Sequence, residues 1–218
     1  MDLKRVGVIG VGHLGQHHAR VYTELLGAHL VGVVDQNESR AAAIGENLGV
    51  PWFTEIDDFI DRAAPEAVSV VVPTSMHFEI ARKALKNGIH VLIEKPVTTT
   101  VNEAEQLLRI AAESDLVLQV GHIERFNSAV QYISKIVHEP LFLQSRRLGP
   151  YSPRISDVGV VLDLMIHDID IILSLVRSEI SDISATGRCI RSDHEDIASA
   201  QISFANGSMA HILVSRVS

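Results

Sequence analysis

Hydrophobic and polar positions follow two alternating patterns along the first half of the chain. Short runs rich in valine and isoleucine predict β-strands, and the stretches between them, with apolar residues every three or four positions, predict amphipathic helices. Strands alternating with helices are typical of an α/β fold, here a Rossmann doubly wound parallel sheet. The predicted strands are 6–9, 29–34, 52–53, 67–72, 89–93 and 116–120, and the predicted helices are 13–26, 38–48, 56–62, one that ends at Lys86, and 102–113.

The pattern changes after Gly121. Strand-like alternation then dominates, and Asn206-Gly207 predicts a hairpin turn. We therefore predict two domains, an NAD-binding Rossmann domain over 1–122 and a substrate-binding α+β domain with a mainly antiparallel open sheet over 123–218. The second domain is predicted to contain helices 127–137 and 160–176 and strands 141–148, 183–190, 197–204 and 209–217.

The last strand-like run reaches Ser218 with no covering element after it. The predicted second sheet therefore has an open edge. Either a partner subunit covers that sheet, or the natural protein continues beyond this segment.

Composition and charge narrow the classes of partner. A formal net charge of -8 argues against nucleic acid, whose backbone needs a basic face. No apolar run approaches the roughly 20 residues that cross a bilayer, so no membrane partner is expected. Cys189 is the single cysteine, which excludes an intrachain disulfide and favours a reducing cytoplasm.

A Gly-x-Gly-x-x-Gly turn follows the first predicted strand directly. Gly10 would allow the tight turn, Gly12 the approach of a pyrophosphate, and Gly15 the packing of the next helix on the strand. His13 and Leu14 lie within the turn and are assigned to the same site. Three glycines alone are a weak signal, because many loops contain them.

Asp35 strengthens the dinucleotide interpretation. It lies at the end of the second predicted strand, where a carboxylate would accept hydrogen bonds from the adenosine ribose. The same carboxylate would repel a 2′-phosphate, so the sequence favours NAD over NADP.

Glu94-Lys95-Pro96 follows the fifth predicted strand at the edge where open α/β sheets bind ligands. The positive nicotinamide ring of oxidised NAD would lower the pKa of a nearby lysine, so Lys95 is a candidate for proton transfer or for polarising a hydroxyl. The alternative is a solvated loop lysine beside a turn proline.

Asp163, His167 and Asp170 share one face of the predicted apolar helix. Their burial is costly unless they pair with one another or line a cavity. His167 is a candidate base for a hydroxyl proton, oriented by Asp163, and the alternative is a polar cluster satisfied within itself. Asp168 points elsewhere on the helix and is predicted to be structural.

Other polar residues near the predicted strand ends allow two roles each. His77, after Pro73-Thr74, would either line the cofactor cleft or pack in the first turn of a helix. Arg125 and Asn127 would either face the substrate or tie the domains together. His13 and His17 have metal-like spacing but lack nearby Cys or Glu ligands, so no metal is expected.

Taken together, these motifs resemble the Gfo/Idh/MocA oxidoreductases over nearly the whole chain. The resemblance implies that Lys95 and His167 flank the substrate carbon, that Asp163 contacts substrate, and that the open sheet forms a homo-oligomer. The motifs that carry it are Gly10-x-Gly12-x-x-Gly15, Asp35, Pro73-Thr74-x-x-His77, Glu94-Lys95-Pro96, Arg125-Phe126-Asn127 and Asp163-x-x-x-His167.

A closer resemblance, to one branch of that family, is carried by residues 70–75, 121–127 and 162–170. That branch oxidises the 3-hydroxyl of UDP-N-acetylglucosamine ahead of transamination, on the route to a diamino-sugar lipid A. The resemblance therefore implies an NAD-dependent nucleotide-sugar dehydrogenase. Two alternatives are an NAD-retaining glycoside hydrolase of the same superfamily and a non-catalytic NAD-binding protein.

Overall fold

The computed structural model describes residues 3–152 and 158–218, and the chain divides into two compact units, Met1–Gly121 and His122–Ser218. The predicted domain boundary falls one residue later than this division. Within the two described ranges no helix is long and apolar enough to cross a membrane.

The first unit contains a six-stranded sheet in which every neighbouring pair is parallel. The strand order is β3-β2-β1-β4-β5-β6, which is the doubly wound arrangement predicted from the alternation of strands and helices. The strands are β1 (Lys4–Ile9), β2 (Ala28–Val34), β3 (Trp52–Phe53), β4 (Ala67–Val70), β5 (His90–Ile93) and β6 (Leu118–Val120). The helices are α1 (Gly15–Glu24), α2 (Glu38–Leu48), α3 (Ile56–Ala63), α4 (Thr74–Lys86) and α5 (Val101–Glu113).

Both faces of this sheet are buried. Successive side chains of a strand point to opposite faces, so Val8 joins one apolar cluster with Ala19 of α1, whereas Ile9 joins another with Phe59 of α3 and Leu107 of α5. All five residues have 3% or less of their surface exposed. Two-sided burial explains why the strands are continuous apolar runs rather than alternating ones.

Local sequence signals mark where several helices begin and end. Asn37 caps α2 by accepting the N–H of Arg40 at 3.0 Å, and Gly49 ends that helix with a φ of 67°. Thr100 and Glu103 form a capping box at the start of α5. At α4, Pro73 occupies the cap position and supplies no side-chain cap.

The second unit contains two helices, α6 and α7, and a four-stranded sheet of order β7-β10-β9-β8. The β7–β10 pair is parallel and the other two pairs are antiparallel, so the sheet is mainly antiparallel, as predicted. Its strands are β7 (Phe142–Leu148), β8 (Ile180–Arg188), β9 (Ile197–Phe204) and β10 (Met209–Ser215), and its helices are α6 (Ser128–Ile136) and α7 (Ile166–Val176).

The long apolar helix predicted over 160–176 is regular only in its second part. Residues Val161–Met165 form a π-helical turn before α7 begins at Ile166. A π turn takes more residues than an α turn, so it shifts the face on which later side chains lie. Met165 and Ile172 still reach the core, where they pack with Ile202 and Ile212 of the sheet.

The predicted hairpin joins β9 and β10. Gly207 has a φ of 87°, which favours glycine, and the Asn206 Oδ1 atom accepts the N–H of Ser208 at 3.0 Å. The Asn-Gly signal is therefore confirmed.

Asp196, directly before β9, is fully buried. Its carboxylate accepts the N–H groups of Ile190, Arg191 and Ser192 and contacts Arg216 Nε at 2.7 Å. Burial acts to raise the pKa of Asp196, but these hydrogen bonds outweigh burial and hold the pKa well below its ordinary value. The carboxylate therefore ties the 189–195 segment to the end of β10.

Candidate functional site

The glycine turn between β1 and α1 has the geometry expected of a dinucleotide turn. Gly10 has a φ of 86°, and a Cβ there would stand 2.3 Å from the carbonyl oxygen of Val71. A Cβ on Gly15 would stand 1.8 Å from the carbonyl oxygen of Gly10, so the helix meets the strand only if residue 15 lacks a side chain. At Gly12 the nearest atom to such a Cβ is 3.9 Å away, which leaves the backbone open to a ligand.

The start of α1 fits a pyrophosphate. Leu14 occupies the cap position with no side-chain cap, and the first turn contains no acidic residue. The positive end of the helix therefore faces the turn without a competing carboxylate. His13 and Leu14 are both exposed at this end.

Asp35 follows β2 and is nearly buried, with 8% of its surface exposed. Its Oδ2 atom accepts the N–H of Val11 at 3.0 Å, which couples the second strand to the glycine turn. Its Oδ1 atom accepts the N–H of Asn37 at 2.9 Å. Arg40 Nη1 lies 3.2 Å from Oδ2. The carboxylate predicted to bind ribose therefore stands beside the phosphate turn with a guanidinium next to it.

Glu94 follows β5, and its side chain turns inward. It is 6% exposed, its Oε1 atom lies 3.2 Å from His18 Nε2, and its Oε2 atom accepts the N–H of Lys95 at 3.3 Å. A Cβ on Gly121 would stand 2.5 Å from Oε1, so Glu94 fills the space that a side chain at residue 121 would need. Glu94 thus braces the turn that presents half-buried Lys95 at the carboxyl end of the sheet.

Ser69 and Tyr22 extend this polar network. His18 Nδ1 lies 3.2 Å from Ser69 Oγ, and Tyr22 Oη lies 2.8 Å from the same oxygen. Ser69 is fully buried in β4 between valines. Sequence reasoning missed this network, although a single serine inside a continuous apolar strand is a signal that a polar partner must face it.

His77, for which the sequence left a packing role and a cleft-lining role open, is buried inside the first unit. Its side chain is 1% exposed, with Nδ1 2.8 Å from the carbonyl oxygen of Pro96 and Nε2 2.9 Å from that of Val72. It therefore links the loop after β4 to the loop after β5, where the Lys95–Pro96 peptide bond is cis. Thr74 is also buried, at the first position of α4.

In the second unit, Arg125 and Asp170 form a two-point ion pair. Arg125 Nε lies 2.8 Å from Oδ2 and Arg125 Nη2 lies 2.5 Å from Oδ1. Burial acts to raise the pKa of Asp170, but the hydrogen bond from Arg125 and the attraction of His122 and His167 lower it overall. Asp170, one of the three polar residues predicted to share a helix face, is therefore paired with Arg125 of the 3₁₀ turn Ile123–Phe126.

Asn127 has a local role. It caps α6 by accepting the N–H of Ala129 at 3.0 Å, and its amide donates to Glu124 at 3.1 Å. Asp168, predicted to be structural, is buried and binds Ser145 Oγ at 2.7 Å and Arg147 Nε at 3.0 Å.

Asp163 is nearly buried in the π-helical turn and lines a cleft of about 180 Å³ in the second unit. Two arginines, Arg147 and Arg216, line the same cleft as this carboxylate. The other lining residues are Leu148, Gly149, Pro150, Ser152, Leu164 and Ser215.

Both parts of the chain match models of one protein family. Residues 4–122 match an oxidoreductase family with an NAD-binding Rossmann fold. Residues 139–218 match the GFO/IDH/MocA C-terminal domain.

Individual relatives agree with these matches. The chain is 42% identical over 214 residues to UDP-N-acetylglucosamine 3-dehydrogenase of Acidithiobacillus ferrooxidans, covering 98% of this chain and 67% of that protein. A solved structure of that enzyme matches with a TM-score of 0.93 over 100% of this chain and 71% of that one. The scyllo-inositol 2-dehydrogenase (NAD(+)) of Bacillus subtilis is 29% identical over 231 residues, covering 98% of this chain and 68% of that protein.

Proposed function

This chain belongs to the Gfo/Idh/MocA oxidoreductase family, and on that premise we propose that it is an NAD-dependent dehydrogenase acting on a secondary hydroxyl of a nucleotide sugar. The observation that carries the proposal is the coupling of the open glycine turn to Asp35 through the N–H of Val11. That coupling supports a role for Asp35 as the acceptor for ribose hydroxyls and for the glycine turn as the cradle of the pyrophosphate. Bound NAD supplies the hydride acceptor.

The residues of this chain supply the proton chemistry. When a hydride leaves the carbon of an alcohol, the hydroxyl proton must pass to a base before, during or soon after the hydride transfer. We assign that proton to Lys95 or His167 and assign Asp163 to substrate binding. Glu94 and His77 hold the Lys95 turn in place through their contacts with His18 and Pro96.

The substrate we propose is UDP-N-acetylglucosamine, oxidised at its 3-hydroxyl. The 42% identity to the Acidithiobacillus ferrooxidans enzyme supports this choice. We further propose that the ketone goes on to transamination on the route to a diamino-sugar lipid A, in a cytoplasm that suits the single cysteine. Arg125 and Asn127 remain candidates for substrate contact.

A homo-oligomer through the C-terminal sheet is also part of the proposal. Ile183 of β8, at the edge of that sheet, is 58% exposed, and an exposed apolar edge favours pairing. Light scattering on the chain measures the assembly directly.

An isotope experiment tests the reaction and the position of oxidation together. The chain is incubated with NAD and UDP-N-acetylglucosamine deuterated at carbon 3, and the NADH is examined by mass spectrometry. We expect deuterium in the NADH and none from a 4-deuterated control. If the chain binds NAD but produces no NADH with any nucleotide sugar, the proposal is overturned. Release of a free sugar without net formation of NADH would indicate a glycoside hydrolase instead.

A further inference from the structure

His18 lies where three elements of the first unit meet. It belongs to α1, and its two ring nitrogens face residues of two different strands. Nε2 lies 3.2 Å from Oε1 of Glu94, the residue that follows β5. Nδ1 lies 3.2 Å from Oγ of Ser69 in β4. One side chain therefore joins the helix after the glycine turn to β4 and to the end of β5.

The contacts of His18 are largely shielded from water. The side chain of His18 is 16% exposed, that of Glu94 is 8% exposed, and Ser69 is fully buried. Tyr22, four residues after His18 on the same face of α1, places its hydroxyl 2.8 Å from Ser69 Oγ. A shielded polar network in which each member has a partner rigidifies the elements that it joins. We therefore expect this network to fix α1 against β4 and against Glu94.

Glu94 carries this constraint to the next residue. Its Oε1 atom meets His18, and its Oε2 atom accepts the N–H of Lys95 at 3.3 Å. On another side the carboxylate is packed against Gly121, where an added Cβ would stand 2.5 Å from Oε1. The carboxylate of Glu94 thus spans the distance from the His18 ring to the backbone of the Lys95 turn.

We propose that His18 is a positioning residue for Lys95. Through Glu94 it fixes the Lys95 turn relative to α1, the helix whose first turn we assign to the pyrophosphate. One face of that helix then sets both ends of the proposed cofactor site, with Gly15 at the pyrophosphate end and His18, three residues later, at the Lys95 end. The effect on turnover rests on the proposed function, whereas the effect on Lys95 itself does not.

Two substitutions separate the roles of the two ring nitrogens. The amide of glutamine reaches the position of Nε2, so His18→Gln keeps a donor for Glu94 and loses the contact with Ser69. The amide of the shorter asparagine reaches the position of Nδ1, so His18→Asn keeps the contact with Ser69 and loses the one with Glu94. Both remove the ring, so an effect of lost packing alone appears in both. His17→Gln and His17→Asn, at the exposed neighbour, are the matched controls.

The first measurement needs no substrate. The chain is acetylated with N-hydroxysuccinimidyl acetate, and peptide mass spectrometry gives the rate at half-buried Lys95 relative to exposed Lys86. A turn released from Glu94 exposes more of Lys95, so this ratio should rise in His18→Asn and stay near the wild-type value in His18→Gln. Urea unfolding checks that both variants fold. If His18→Asn does not fold, Glu94→Gln, which keeps the size of the side chain and removes its charge, should raise the ratio instead.

The second measurement is turnover with NAD and UDP-N-acetylglucosamine. The kcat of His18→Asn should fall by about 10- to 100-fold, because a misplacement of about 1 Å in a reacting group has an effect of that size. The KM for NAD should change less, since the glycine turn is untouched. His18→Gln should keep most of the wild-type kcat, and both His17 variants should match wild type.

Equal acetylation of Lys95 in the two His18 variants would overturn the proposal, because a lost ring rather than a lost Glu94 contact would then explain the effect. A wild-type kcat in folded His18→Asn would overturn it as well. If the wild-type chain forms no NADH with any nucleotide sugar, the proposed function fails. The acetylation ratio then still decides whether His18 positions Lys95.

Discussion

His77 Nδ1 lies 2.8 Å from the carbonyl oxygen of Pro96, inside the first unit. The second ring nitrogen faces the carbonyl oxygen of Val72, so one buried side chain joins the loops that follow two neighbouring strands. The position of the Lys95 turn therefore depends on a buried residue.

Replacing His77 by alanine is expected to lower the free energy of unfolding by about 2–4 kcal/mol, because two buried carbonyl contacts are lost and a cavity remains. Urea unfolding measures this loss. His29→Ala is the control, since His29 is exposed on β2, and its effect should stay within about 0.5 kcal/mol. Equal effects of the two variants would show that His77 contributes no special link.

Gly121→Ala should disturb the Glu94 turn. The new Cβ would stand 2.5 Å from Glu94 Oε1, so the carboxylate must move away from His18 or the backbone must shift. We expect a loss of about 1–3 kcal/mol in unfolding free energy, together with weaker NAD binding. At Gly27 an added Cβ meets nothing within 4 Å, so Gly27→Ala should be neutral in both assays. A Gly121→Ala protein as stable as wild type would mean that Glu94 is not held there.

Lys95→Met and His167→Asn should each reduce turnover by about 10²- to 10⁴-fold if the two residues move or stabilise the hydroxyl proton. The measurement is steady-state NADH formation across a range of pH, with NAD binding followed separately. Lys86→Met removes an exposed lysine at the end of α4 and should leave turnover unchanged. The variant whose residual activity has lost its dependence on pH on the acidic side identifies the base, and an unchanged rate removes that residue from the mechanism.

Acid should destabilise the second unit through Asp196. The folded-state pKa of this carboxyl is lowered from its ordinary value of 3.8, so its contribution to stability is present above that pH and is lost as the pH falls below it. The unfolding free energy of wild type should therefore decline more steeply from pH 5 to acid than that of Asp196→Asn, which binds no proton at this site. If the unfolding free energies of the two proteins, measured in urea, depend on pH in the same way, the stabilising role given to ionised Asp196 is wrong.

Arg125→Met should raise the carboxyl pKa of Asp170 toward 3.8, because the guanidinium contact helps to hold it below that value. A carboxyl-carbon NMR titration follows the shift directly. Arg188→Met, which removes an exposed arginine of β8, is the control and should leave the pKa of Asp170 in place. Lowering the pH below 3.8, the ordinary pKa of the carboxyl, should therefore decrease the unfolding free energy of wild type more than that of the Arg125→Met variant.

The elements of the first unit were predictable because their signals are local. A doubly buried strand needs a continuous apolar run, and the predicted strands at 52–53 and 89–93 differ from β3 and β5 by one residue at most. The packing of α1 on β1 required a glycine at residue 15, which the spacing of the turn already indicated. The π turn before α7 carried no such signal, because its residues are as apolar as those of a regular helix.

The sequence by itself determined the fold class, the glycine turn and the position of Asp35, since each depends on neighbours within one strand-turn-helix segment. Only the tertiary structure decided which partners the polar residues meet: Arg40 at Asp35, His18 at Glu94, Arg125 at Asp170 and Arg216 at Asp196. A buried charge must find a partner, but the chain folding back on itself decides which one. The hydrophobic periodicity of the sequence predicts which residues are buried, but it does not predict which residues they contact.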